Sequence, residues 1–337
     1  MKKKVSLKDI AQKVGVSIAL VSYVLNNKKE GRISKEIAEK IKATAKKLDY
    51  RPNQIAKSLK SNRTNTIGLI VADIANPFSS GLARIIEDEA EKNGYTVIFG
   101  SSDEKAERSQ KLIDVLQDRQ VDGIIIAPAA GSEPQIKALQ KKGMPLVLVD
   151  RYFPQLKVNY VTIDNQGAAY NGVSHLVETG CKRIGLIAFK TDLLHLQDRK
   201  LGYLQALNKG KVAVSKSLIK EVAIDETTQQ EVEVAINELL RLPGGVDALF
   251  FASNKVATYG LQYLNKQKEV VPKKVKVLNF DQSDAAELFY TSLTHVRQPM
   301  QQMGKEAVRI LIENINGNKK IMQLQLHAEL VLAQSTQ

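Results

Sequence analysis

The sequence predicts an α/β protein: a small basic head of helices, then a large body in two lobes built on parallel sheets. Three observations lead there. Residues 6–25, SLKDIAQKVGVSIALVSYVL, pattern as two short amphipathic helices about a glycine. Positive charge is concentrated at the N-terminal end. From residue 67 onward, short apolar runs alternate with helix-length amphipathic stretches.

The head comes first. Ser6 and Asp9 form an S-x-x-D capping signature, and Leu7, Ile10, Ala11 and Val14 share one helical face. Gly15 suits a sharp turn, and Ser17 suits the cap of a second helix that buries Val21, Val24 and Leu25. This is the helix-turn-helix layout, whose second helix fits the DNA major groove. A third helix over 34–48 is capped by Ser34, with Glu36 and the pair Lys46 and Lys47 matched to its dipole. Ile37, Ile41, Ala45 and Leu48 would close a three-helix core. Asp49-Tyr50-Arg51-Pro52 breaks that helix. A short helical segment follows at 53–60, then a polar linker, SNRTNT, at 61–66. These patterns divide the chain into 1–49 (head), 50–65 (hinge and linker) and 66–337 (body).

Residues 1–63 hold 17 Lys and Arg against 5 Asp and Glu, a net of +12, while the whole chain carries +13. A polyanion-binding head on a nearly neutral body explains this asymmetry. Tyr23 and Tyr50 are the head's aromatics, which offers no platform for stacking unpaired bases. Duplex DNA is therefore favoured over single strands or RNA.

In the body, strands are expected at 67–73, 95–103, 122–128, 145–150, 160–164, 183–188, 218–224, 246–254 and 274–281. Helices are expected between them, as at 78–94 and 109–120. About nine strands exceed one comfortable sheet, so two lobes follow. Doubly wound sheets bind ligands beyond their strands' C-terminal ends. The residues found there are Asp73, Asn76, Phe78, Ser101, Ser102, Asp103, Asp150, Arg151, Asp164, Asn165, Asn254 and Asp281. Together they suit a hydroxyl-rich small molecule in a cleft. Each Asp or Asn alone serves equally well as a helix cap.

Several classes are disfavoured. The chain has no G-x-G-x-x-G, P-loop or G-x-S-x-G signature and no nucleophile–base constellation, so no enzyme and no cofactor are expected. His175, His195, His295 and His327 are scattered, and Cys181 is the single cysteine, which argues against a zinc site. No apolar run has the length of a signal peptide or a membrane span, so a cytoplasmic protein with no membrane partner is expected. A periplasmic solute carrier would lack its export signal, and the basic head would be useless to it.

The chain resembles the LacI/GalR family of bacterial transcription regulators along nearly its whole length. LKDIAQKVGVSIALVSYVLN is similar to the family's head motif and YRPNQIAKSL to its hinge motif. ANPF, VDRYF, the Arg199-Lys-Leu-Gly202 turn, Asn254 and FDQ are similar to landmarks of its effector pocket. The resemblance implies a body with the type I periplasmic-binding-protein fold. It implies a homodimer on a pseudo-palindromic double-stranded operator, associated with the nucleoid when bound. It further implies a repressor of carbohydrate-utilisation genes, controlled allosterically by a sugar or sugar derivative.

Carried over by residue, Ile18, Ala19 and Tyr23 would read bases, and Ser17, Ser22 and Asn26 would contact phosphates. Leu59 would wedge into the minor groove beside Ala56 and Lys60. Phe78, Asp150, Arg151, Arg199, Asn254 and Asp281 would bind the effector. A single eight-residue hinge helix is too short to be stable alone, which makes it the element an effector can bias. Three positions depart from the family: Leu20 replaces a usual Thr, Tyr23 an Arg, and Lys255 an Asp. Loss of that Arg removes a guanine reader and shifts readout toward thymine methyls and DNA shape.

Overall fold

The computed structural model describes residues 5–26, 33–50, 63–266, 270–282 and 284–337. The chain divides into two compact units, Met1–Thr64 and Asn65–Gln337.

In the first unit, α1 (Leu7–Val14) starts at a complete capping box: Asp9 N–H donates to Ser6 Oγ and Ser6 N–H to Asp9 Oδ2. Gly15 ends it at φ +79°, a left-handed conformation that glycine adopts without a Cβ penalty. Ser17 caps α2 (Ile18–Leu25) by accepting from Leu20 N–H at 3.2 Å. Ser34 caps α3 (Lys35–Lys47) through Ile37 N–H. The three helices bury Ile10, Ala11, Val21, Val24, Ile41 and Ala45, with Leu7, Val14, Leu20, Leu25, Ile37 and Leu48 packed around them. The expected stripes thus form one small core. The segment 53–60, with Ala56, Leu59 and Lys60, lies outside the described residues.

The second unit is two doubly wound lobes. The first sheet has the order β11-β5-β4-β3-β1-β2. Its strands are β1 (Thr66–Val71), β2 (Thr96–Ser101), β3 (Gly123–Ile126), β4 (Leu146–Val149), β5 (Asn159–Ile163) and β11 (Gln323–Leu326). Its helices include α4 (Pro77–Lys92), α5 (Ala106–Asp118) and α6 (Glu133–Lys141). The second sheet has the order β12-β10-β9-β8-β6-β7. It comprises β6 (Ile184–Phe189), β7 (Ile219–Val222), β8 (Ala248–Phe251), β9 (Lys276–Phe280), β10 (Thr294–Arg297) and β12 (Glu329–Val331). Around it lie α7 (Asn165–Glu178), α8 (Leu194–Lys209), α9 (Thr228–Arg241), α10 (Asn254–Lys266) and the short α11 (Asp284–Glu287). The next helix, α12 (Met300–Ile315), returns to the first lobe, packing on α4, β3 and β4. The chain therefore crosses between lobes after β5, after β10 and between β11 and β12.

Central strands such as β3, β4 and β8 are buried along their whole length, as parallel strands covered on both faces must be. The nine expected strands all form. Three more, β10, β11 and β12, were not expected. They are three or four residues long, and of them β11, QLQL, alternates polar with apolar side chains, whereas β10, THVR, and β12, ELV, do not. The sheets are also not wholly parallel, because β12 runs antiparallel to β10. Edge strand β2 is apolar in sequence yet largely exposed, with Phe99 60% accessible. The expected linker at 61–66 runs into β1, which begins at Thr66. The expected turn at Arg199–Gly202 is instead the middle of α8. Gly202 serves there as a close contact: a Cβ on it would lie 2.2 Å from the Gln166 carbonyl oxygen of α7.

Candidate effector cleft and DNA-facing helix

The C-terminal ends of strands from both lobes converge on a cleft. The first lobe contributes Asp73, Asn76, Phe78 and Ser79 after β1, Glu104 after β2, and Asp150 and Arg151 after β4. The second contributes His195 and Arg199 from α8, Ser253, Asn254 and Lys255 after β8, Asp281 after β9 and Gln298 after β10. Phe189, Leu193, Leu196 and Ile224 add apolar wall. All six expected effector residues therefore line one cleft.

Local structure explains how each side chain is held. Pro77 occupies the first turn of α4 and Asn76 its cap, with Phe78 N–H donating to Asn76 Oδ1. Asp150 and Asp281 both leave their strands in the left-handed region, at φ +68° and +72°. Asp tolerates that region better than most side chains. Arg199 is locked by three neighbours: its Nε donates to Asn165 Oδ1 and its Nη1 to the Ala252 carbonyl, while its guanidinium stacks 3.5 Å from the Phe280 ring centre. Asp281 Oδ2 stands 3.9 Å from Arg199 Nη1, and Asp281 Oδ1 accepts from Gln298. Arg151 clasps Glu104 through two hydrogen bonds of 2.5 and 2.7 Å, with Asp150 at 3.3 Å from its Nε.

Burial pushes the Asp150 carboxyl up, against the pull of Arg151 and Arg199. Burial likewise pushes Asp281 up, opposed by Arg199 and Gln298. Burial also works against the Arg151 charge, but its hydrogen bonds to Glu104 prevail and hold the guanidinium up. Burial, with Arg151 and Arg199 nearby, holds the His195 imidazole well below its ordinary range, so the ring is neutral. Aligned carboxylates, amides and guanidiniums over an aromatic face suit hydroxyls on a compact ring.

Across the cleft, Asn254 Nδ2 donates to Asn76 Oδ1 at 2.6 Å, and Asn76 Nδ2 returns a longer bond to Asn254 Oδ1 at 3.4 Å. This pair clasps the two lobes at the site itself.

Other strand-end residues resolve as structural. Asp164 caps α7 through Gly167 N–H, Asn165 positions Arg199, and Ser102 is buried on the Val71 carbonyl. Ser101 bonds Asp103. His195, Glu104 and Gln298 were missed. His195 lies one helical turn before Arg199, a spacing hidden by reading 199–202 as a turn. Among the described residues no cluster of His, Cys, Asp or Glu could hold a metal ion, and no helix is long and apolar enough to cross a membrane.

On α2, Ser17, Ala19 and Asn26 are exposed, Ile18 is 48% accessible, and Ser22 and Tyr23 are partly buried. Ser17 Oγ is engaged in capping, and Asn26 donates to the Ser22 carbonyl. Ile18, Ala19, Ser22 and Tyr23 fall on the side of α2 away from Val21 and Val24, so the helix offers a polar and apolar strip outside the core.

Comparison with known proteins bears on both units. Residues 6–53 match the model of bacterial regulatory proteins of the lacI family. Residues 64–332 match the model of periplasmic binding proteins and the sugar-binding domain of the LacI family. The transcriptional regulator RegA of Clostridium saccharobutylicum is 32% identical over 92% of each chain. The ribose operon repressor of Halalkalibacterium halodurans is 32% identical over 92% of this chain and 90% of its own. A solved complex of the transcriptional regulator CelR with cellobiose is 28% identical, covers 98% of this chain and all of that one, and has a TM-score of 0.71. The lac repressor dimer bound to operator and an anti-inducer shares the fold at a TM-score of 0.85 and 22% identity, covering 99% of each chain.

Proposed function

The chain belongs to the LacI family of bacterial regulatory proteins, and on that premise we propose how its two units divide the work. It is a sequence-specific DNA-binding transcription regulator and not an enzyme. In our reading it represses carbohydrate-utilisation genes from the cytoplasm. Two heads of a homodimer lie on a pseudo-palindromic operator. Ile18, Ala19 and Tyr23 face base edges, while Ser17, Ser22 and Asn26 face phosphates. Leu59, flanked by Ala56 and Lys60, wedges the minor groove.

The cleft is the effector site, and its ligand is a sugar or sugar derivative. The observation that carries this is the convergence of Phe78, Asp150, Arg151, Arg199, Asn254 and Asp281 on one cleft lined by both lobes. A ligand that touches both lobes discriminates between their arrangements, and only such discrimination shifts DNA affinity. The test is genomic footprinting of bound fragments at several salt concentrations, with and without sugars. Bound sites beside sugar genes, steep salt dependence and sugar-shifted affinity are expected. Retention of no fragment, or binding indifferent to salt, would sink the reading. Leu59→Ala is expected to weaken operator binding while leaving sugar binding intact. Unchanged operator affinity would remove Leu59 from the interface.

A further inference from the structure

We propose that the effector carries an acidic group, a phosphate or a carboxylate, seated on Lys255 at the N-terminal end of α10. This rests on the reading of the cleft as the effector site.

The cleft's other cations are already engaged. Glu104 and Asp150 sit on Arg151, and Asp281 sits on Gln298 and Arg199. Asp73 Oδ1 accepts from Ala75 N–H. Both guanidiniums are engaged, Arg151 by Glu104 and Asp150, Arg199 by Asn165, the Ala252 carbonyl and Asp281. Lys255 also lines the cleft, yet it forms no hydrogen bond or ion pair with a described residue.

Its position makes this ammonium conspicuous. Lys255 is the second residue of α10, a helix of 13 residues with no acid in its first turn. There its charge adds to the positive end of the helix dipole, an arrangement that is unfavourable until an anion arrives. Ser253, Asn254 and Lys255 all line the cleft, so this helix end faces the ligand. Free N–H groups at a helix start are a ready anion site.

A second, independent feature points the same way. His195 is 8% exposed, lines the same cleft, and its buried Nδ1 has no partner. As a neutral ring it carries one N–H, and an anionic oxygen in the cleft would fix that proton on Nδ1. A cation without a counterion and a buried imidazole nitrogen without an acceptor are together what an acidic ligand group would satisfy.

The experiment is calorimetric titration of the full chain with ribose, glucose, ribose 5-phosphate, glucose 6-phosphate, glucuronate and inorganic phosphate. It is repeated on Lys255→Met, with operator binding as the control for folding. The acidic sugars are expected to bind about tenfold or more tighter than their neutral parents, and Lys255→Met to erase that margin without weakening the neutral ones. Preference for the phosphates or for glucuronate identifies the acidic group. Neutral sugars binding as tightly as acidic ones, or an acid preference intact in Lys255→Met, overturns the inference and leaves the sugar reading standing. Inorganic phosphate binding through Lys255 with no sugar bound in any form supports the inference and overturns the sugar reading. Binding of nothing overturns both.

Discussion

On α2 of the head, Ile18 is 48% exposed and Ala19 is open to solvent, whereas in the body's cleft Arg199 is 3% exposed and Asp281 8%. The head thus displays its proposed apolar readers in water, and the body conceals its proposed charged ones in protein. An exposed methyl costs little until a partner covers it, so nothing within the head depends on Ile18. A buried charge needs its partners at once, so Arg199 and Asp281 are part of the body's stability as well as its site. Recognition and folding are separable in the head and fused in the body.

Substitutions can break or sharpen that contrast. The largest effect is expected at Arg199→Met, which strands Asp281, Asn165 Oδ1 and the Ala252 carbonyl. Its loss should destabilise the body by about 3–5 kcal/mol, read from urea unfolding. A change below about 1 kcal/mol would show that the guanidinium is dispensable to the fold.

His195 offers the next test, through pH. Its folded pKa lies well below 6.5, so below that pH the unfolded chain takes up a proton that the folded chain refuses. This contribution is present above about pH 6.5 and is lost as pH falls toward the lowered folded value, by up to about 1.4 kcal/mol per pH unit. Unfolding of wild type and His195→Gln between about pH 7.5 and pH 5.5 should show the variant losing less stability. Parallel curves would mean that the imidazole is not held neutral.

The Asn76–Asn254 clasp should give a smaller term. A double-mutant cycle with alanines is expected to show a coupling of about 0.5–1.5 kcal/mol, reported by unfolding. Strict additivity would mean that the two amides do not hold each other. Smallest of all, Ile18→Ala should alter head stability by no more than about 0.5 kcal/mol while still changing operator affinity. A large loss of stability would place Ile18 in the core, contrary to its exposure.

The same contrast governs how much could be read beforehand. The head's helices and caps were legible because Ser6, Asp9, Gly15, Ser17 and Ser34 act through neighbours in sequence. The nine strands with apolar runs, and the gathering of Phe78, Asp150, Arg151, Asn254 and Asp281 on one cleft, were legible because strand ends are marked by a change from apolar to polar, whereas Arg199, in mid-helix, was reached through the family resemblance alone. Strands β10 to β12 were not legible, since three or four residues without a continuous apolar run resemble a loop until a neighbouring strand claims them. Glu104 and Gln298 were hidden for another reason. Their roles come from Arg151 and Asp281, 47 and 17 residues away. Gly202 was misread because a glycine that admits a neighbouring helix has the same letter as one that turns a chain.

The three crossings between the lobes have a mechanical consequence. The chain joins the lobes at Asp164, at Gln298 and at His327–Ala328. Three short connections leave the lobes fewer relative freedoms than a single linker would. The Asn76–Asn254 clasp adds a noncovalent tie across the cleft. A ligand seated there would meet two lobes already tied by three stretches of chain and by a pair of amides.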